Sequence, residues 1–224
     1  MLVPAAYQAD LSADWFNPGW WGMNAEPVTA GGRGSAWFVR SPLGGAVLRQ
    51  YRRGGLVARL SQSSYFFTGY ENSRSFAEFR LLQALRARGL PVPEPLAALV
   101  ERKSLVSYQA WILLRRLVGT QPLPEASNVA DPELWGRVGG IIRRFHDAGL
   151  NHVDLNCDNI LVASDEIYLI DFDRCELRAN APAAASWKIA NLNRLRRSVE
   201  KRCQSLDSRA RERVWRALQD GYQR

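Results

Sequence analysis

The chain has 224 residues, is 46% hydrophobic and carries a formal net charge of +8 with three cysteines. That is enough apolar material to bury a core in one or two domains, and no apolar run reaches the roughly 18–20 residues that span a bilayer. Cys157, Cys175 and Cys203 form no C-x-x-C pair, which argues against a disulfide framework or a zinc site and for a reducing cytoplasm; the start lacks the basic and long apolar regions of a secretory signal.

Residues 1–27 set Trp15, Phe16, Trp20 and Trp21 among Pro18, Gly19 and Gly22. They read as an irregular cover packed on a sheet, although Trp is also favoured at membrane–water boundaries. Residues 28–51 read as a β-hairpin: Val28-Thr29, the run Gly31-Gly32-Arg33-Gly34-Ser35, a strand AWFVR, a turn SPLGG and a strand from Ala46 to Tyr51. Glycines let backbone approach a ligand and point N–H groups at anions. Alternation places Val47, Arg49 and Tyr51 on one strand face. Arg52-Arg53-Gly54-Gly55 follows as a candidate anion site.

Residues 74–89 give the clearest helix. Phe76, Phe79, Leu82 and Leu85 recur at three-to-four spacing, Glu78 lies among them, and Gly89 is a natural stop. A linker and two strands come next, with Ala110 to Leu114 leading to a connection where Gly119, Pro122 and Pro124 cluster. We expect a division there, into residues 1–118 and 119–224. Residues 131–149 predict a second helix. Asp131 is its N-cap, Pro132 its first position, Gly149 its end, and Val138, Ile141, Ile142 and Phe145 its buried stripe. His146 reads as structural.

Residues 152–173 carry the most chemistry. His152, Asp154 and Asn159 fit H-x-D-x-x-x-x-N, and an apolar run from Ile167 to Ile170 delivers Asp171-Phe172-Asp173. The seventeen positions from Asp154 to Asp171 suit a loop, a strand, a turn and a second strand, which would return both carboxylates to one place. Transfer of the ATP γ-phosphoryl group to a hydroxyl needs this layout. Asp154 is the expected base, and Asn159 and Asp171 the expected Mg²⁺ ligands, since Mg²⁺ takes hard oxygens and few of them from protein. His152 is expected to pin the loop backbone. In this scheme Gly31, Gly32, Gly34 and Ser35 lie over the phosphates of ATP. Arg49 stands where V-A-I-K has its Lys, and Glu78 is placed to hold Arg49.

After Asp173 only 51 residues remain, mostly helical in pattern, without an A-P-E element. There is too little room for a peptide-cradling segment, so a small-molecule or glycolipid acceptor is expected. From Trp187 to Arg224 eleven Lys and Arg face four Asp and Glu, a basic tail that seeks anions.

The pieces GGRGSAWFV, AVLRQYRRGGL, FAEFRLLQALRARGLPVPEPL, HDAGLNHVDLNCDNILV, LIDFDRC and WKIANLNRLRRSVEK together resemble the 3-deoxy-D-manno-octulosonic acid (Kdo) kinases, in the lipopolysaccharide core kinase family of the protein-kinase-like superfamily. The resemblance implies an α+β, bilobal protein-kinase-like fold. Its N-lobe would hold a small antiparallel sheet and one helix, and its C-lobe would be shortened and mainly helical. It implies phosphorylation of the Kdo 4-hydroxyl on a Kdo–lipid A precursor with ATP and Mg²⁺. The enzyme would act peripherally at the cytoplasmic face of an anionic inner membrane, with no nucleic-acid or protein partner. Arg52, Arg53, Arg194, Arg196, Arg197 and Lys201 are the candidates for holding the anionic acceptor. Protein-kinase loops differ in having Arg between His152 and Asp154, Lys in place of Asn156 and Gly in place of Asp173. Rival readings are a kinase of core heptose or of an aminoglycoside, whose polycationic character a +8 protein opposes, and a non-catalytic basic binding module.

Overall fold

A computed structural model of the chain describes residues 1–28, 35–52, 65–179, 182 and 185–224. The described chain forms two compact units, one of Met1–Gln83 with Pro93–Leu117 and the other of Ala84–Val92 with Val118–Arg224.

The first unit is built on an antiparallel sheet. Its strands are β1 (Ala25–Pro27), β2 (Ala36–Ser41), β3 (Gly44–Gln50), β4 (Tyr65–Phe66), β5 (Pro95–Arg102) and β6 (Ser107–Arg115), in the order β1-β2-β3-β6-β4 with β5 also on β6. The hairpin turn lies between β2 and β3, where Gly44 takes a φ of 98°. The hairpin's outer partner is β1, slightly earlier than the Val28-Thr29 expected, and Thr29 lies outside the described residues. Alternation decides the faces. Ala46 and Leu48 point into a core with Val39, Leu96, Ala97 and Leu113, while Arg49 and Val47 point the other way.

The N-terminal aromatics close that core. Trp15, Phe16 and Trp21 are buried against it, Trp21 donates its indole N–H to the Trp15 carbonyl at 2.9 Å, and Leu2 bridges to Ala98 on β5. The residues arrive on short 3-10 turns (Ala13–Phe16, Pro18–Asn24), each started by a side-chain cap from Ser12 or Asn17. Trp20 stays 51% exposed. Helix α1 (Arg74–Ala87) buries Phe76, Phe79, Leu82 and Leu85, and Gly89, φ 68°, turns the chain after it.

The second unit is mainly helical, with α2 (Pro132–Asp147), α3 (Ser186–Arg202) and α4 (Ser208–Gln223). Short strands serve its loops. β7 (Gln121–Pro122), β9 (Ile160–Val162) and β10 (Ile167–Leu169) form one sheet, and β8 (Leu150–Asn151) pairs with β11 (Glu176–Leu177). Asp131 caps α2 through the Glu133 N–H, and Val138, Ile142 and Phe145 are buried, whereas Ile141 is half-buried. Three glycines that look like helix weaknesses in sequence have a packing reason. A Cβ on Gly139 would meet the Leu218 carbonyl oxygen at 2.0 Å, and one on Gly221 would meet that of Gly136 at 2.0 Å. They let α2 and α4 touch backbone to backbone.

Candidate active site

The loop from Asn151 to Asn159 is fixed from within and from behind. Asn156 opens a short 3-10 turn (Cys157–Asn159), its side-chain oxygen accepting from the N–H groups of Asp158 and Asn159 at 2.9 and 3.1 Å. This is the capping role that Asn favours. The Asn156 and Asn159 amides both donate to the Asp154 carbonyl, at 3.1 and 3.0 Å. The Asp154 carboxylate, 57% exposed, is thereby turned outward from a rigid backbone. The Asn159 Nδ2 is committed to that bond, while its Oδ1 makes no hydrogen bond among the described residues. An amide oxygen so oriented is a ready hard ligand.

Asp171 is brought beside Asn159 by the strand pair β9–β10, which the Ile170 N–H extends with a 3.0 Å bond to the Asn159 carbonyl. Asp171 takes the left-handed φ of 62°, uncommon for a residue with a Cβ. Phe172 next to it is buried against Phe145 and His152. His152 Nε2 lies 3.0 Å from the Ile170 carbonyl. A carbonyl only accepts, so the proton sits on Nε2. Burial pushes the His152 pKa down, and the Ile170 bond and the Asp171 and Asp154 charges oppose this more weakly. The ring is a neutral strut, not a base, and it ties the Asp154 loop to the Asp171 loop.

Helix α3 runs along the outer side of this loop and is joined to it three times. Asn191 accepts from the His152 N–H at 3.0 Å and donates to the Asn151 Oδ1 at 3.1 Å. Ser198 Oγ accepts from the Cys157 N–H at 2.9 Å, and Arg202 donates to both Asp158 oxygens at 2.9 and 3.0 Å. Sequence reasoning missed Asn191, Asn151 and Ser198. A signal existed: Trp187, Asn191, Leu195 and Val199 recur every four residues and all are buried, so an amide stands on an otherwise apolar stripe and needs partners. Of the expected cations, Arg194 lies 3.9 Å from the Asp154 carboxylate, Arg196 pairs with Glu200 and Glu212, and Arg197 and Lys201 are exposed.

In the first unit, Glu78 is 2% exposed and accepts from Arg49 at 2.5 Å. Tyr51, unremarked in sequence beyond its strand face, also donates its hydroxyl to Glu78, and the Arg49 guanidinium lies 5.0 Å from its ring centre. Burial first, then the Glu78 charge, pushes the Tyr51 pKa well up, so it stays a hydrogen-bond donor. Ser35 accepts from the Gln50 N–H through its carbonyl at 2.8 Å, and Arg52 is exposed with Nε 3.5 Å from Gln50. Gly31, Gly32, Gly34 and Arg53 lie outside the described residues.

Among the described residues no group of three His, Cys, Asp or Glu is placed to hold a metal ion. Asn159 and Asp171 instead offer one amide and one carboxylate oxygen, a donor set that fits a cation shared with phosphates. A sequence profile of the lipopolysaccharide kinase (Kdo/WaaP) family matches residues 19–222. The chain is 49% identical over 191 residues to a 3-deoxy-D-manno-octulosonic acid kinase of Stenotrophomonas maltophilia (strain R551-3), covering 84% of this chain and 75% of that one. Its structure is similar to WaaP in complex with acyl carrier protein (TM-score 0.58, 17% identity, 97% of this chain and 87% of that one). It is also similar to the Rio2 kinase of Chaetomium thermophilum in an ADP/Mg²⁺-phosphoaspartate complex (TM-score 0.54, 21% identity, 89% and 65%). The fold is protein-kinase-like.

Proposed function

We propose that this chain, which belongs to the lipopolysaccharide kinase (Kdo/WaaP) family and is a phosphotransferase, transfers the γ-phosphoryl group of ATP to the 4-hydroxyl of Kdo on a Kdo–lipid A precursor. The observation that carries the reading is the mutual locking of two turns. Asn159 holds the Asp154 backbone, and the Asn159 carbonyl holds the Ile170 N–H, one residue before Asp171.

In this reading Asp154 accepts the hydroxyl proton, which requires an approach of ~3 Å. Asn159 Oδ1 and Asp171 are the residues that would hold Mg²⁺, which when bound supplies charge neutralisation to the phosphates. Glu78 and Tyr51 hold Arg49 in one orientation, so that its fork can grip phosphate oxygens. Gly31, Gly32, Gly34 and Ser35 complete the nucleotide site of residues 1–118. Residues 119–224 carry catalysis and most of the acceptor site. Arg52, Arg53, Arg194, Arg197 and Lys201 hold the acceptor's anionic groups. No helix is long and apolar enough to cross a membrane among the described residues. Contact with an anionic inner-membrane surface therefore rests on the basic surface and on the half-exposed Trp20.

The test is incubation with γ-labelled ATP and Mg²⁺ against a Kdo–lipid A precursor, a heptosylated core, an aminoglycoside and a generic protein. Label on the Kdo sugar in the unaltered chain, lost in Asp154→Ala while ATP still binds, is the expected result. Label on another acceptor alone overturns the assignment.

A further inference from the structure

Arg194 stands apart from the other cations on α3. Asn191, Ser198 and Arg202 bind the loop itself, so the helix cannot slide against Asp154. Arg194 lies one turn beyond Asn191 and is thereby fixed beside the base. Yet it makes no hydrogen bond among the described residues. Among the described residues its ion pair is with Asp154 at 3.9 Å, too long for a hydrogen bond, and its side chain is 48% exposed. A guanidinium has five donors arranged as a fork. Here the side chain is half-exposed, beside the carboxylate to which the proposed function brings the acceptor's hydroxyl.

We infer that Arg194 is a specificity-determining residue that grips a carboxylate on the same sugar that presents the reacting hydroxyl. This deepens the reading above and rests on it. Reach decides which anion is held. Asp154 has to come within ~3 Å of the hydroxyl, so the neighbouring guanidinium meets only groups on the reacting ring. In Kdo the carbon bearing the carboxylate is separated from C4 by a single ring carbon, which is within that reach. Phosphates on a second sugar are not. Those belong to Arg197 and Lys201, three and seven residues further along α3. They lie on the same helix face and are exposed, with Lys201 about 10 Å away along the axis. An arginine suits a carboxylate because two parallel N–H donors match its two oxygens. The acceptor's charge also replaces water around Arg194 without separating it from Asp154.

The experiment compares a Kdo–lipid A precursor with the same compound whose Kdo carboxylates are converted to neutral carboxamides. Steady-state kinetics are measured with the unaltered chain, Arg194→Gln and Arg194→Lys. The unaltered chain should have a KM for the acid roughly 10- to 100-fold below that for the carboxamide, the range of one lost charge-assisted pair. Arg194→Gln should treat the two acceptors alike by raising the KM of the acid only, and Arg194→Lys should recover part of the preference. ATP affinity, measured by titration, should be unchanged in both variants. Equal KM values for acid and carboxamide in the unaltered chain overturn the inference without any variant. It is also overturned if Arg194→Gln keeps the preference, or if kcat falls equally on both acceptors, which would mean that Arg194 acts only through Asp154. Transfer by the unaltered chain to another member of the acceptor panel, and to neither Kdo compound, overturns the parent reading itself.

Discussion

Glu78 shows how a single buried charge sets the behaviour of its neighbours. It accepts from both Arg49 and Tyr51 while 2% exposed, so each partner compensates the cost of taking a carboxylate out of water. Glu78→Gln keeps the shape and removes the charge. It should weaken the hold on Arg49 and raise the KM for ATP about 10-fold, with a smaller effect on the acceptor's KM; a nucleotide titration separates the two. Asp154→Asn should lower kcat by roughly 10²–10⁴-fold, the usual range for a positioned proton acceptor, with ATP affinity retained. His152 supplies a contrast. Its ring is neutral and pinned to Ile170, so His152→Asn should act through loop position, with no shift in the pH profile of kcat.

At the level of elements, two joints carry the second unit. The first is the seam between α3 and the loop Asn151–Asn159. Asn191→Leu keeps the γ-branched shape but orphans the buried His152 N–H and the Asn151 Oδ1, and should cost about 2–4 kcal/mol in urea unfolding. The second is the crossing of α2 and α4 at Gly136, Gly139 and Gly221. A Cβ at Gly139 would sit 2.0 Å from a carbonyl oxygen of α4, and backbone cannot yield as a flexible side chain does. Gly139→Ala, which would stabilise an isolated helix by about 1 kcal/mol, should here destabilise by about 1–3 kcal/mol or more. The sign of that change in a denaturant melt is the check.

Over the molecule as a whole, protonation sets how stability depends on pH, and net charge sets the pull on anions. His146 is 2% exposed and its Nδ1 lies 2.7 Å from the Tyr222 hydroxyl. Burial is the main cause that pushes its pKa from 6.5 down to about 4. Between those values the unfolded chain binds more protons than the folded one. Stability is therefore fully present above about pH 6.5 and is lost as pH falls toward 4, by on the order of 3 kcal/mol. His152 shifts in the same direction. Melting temperatures from pH 7.5 to 4.5 should fall more gently in His146→Asn, which does not titrate. The net charge of +8 should drive co-sedimentation with vesicles containing anionic lipid, weakening as salt rises past physiological strength. Loss of the remaining binding on Trp20→Ala would assign the salt-resistant part to the exposed indole.

Much of this was legible in the chain itself. Local spacing was enough for α1, α2 and the paired turns around Asp154 and Asp171, because helix and strand periods and turn chemistry are written within a few residues of where they act. The same holds for the shared strand face of Arg49 and Tyr51. Partnership across the chain was not written there. That Tyr51 shares Glu78, that Asn191 holds a backbone N–H 39 positions away, that Gly139 must lack a side chain and that Arg194 lies beside the Asp154 carboxylate all depend on which surfaces meet. The sequence by itself determined the elements and the reactive residue types. Only the tertiary structure decided their partners, since a hydrogen bond or a steric limit exists between two groups and neither group's neighbours in sequence specify the other.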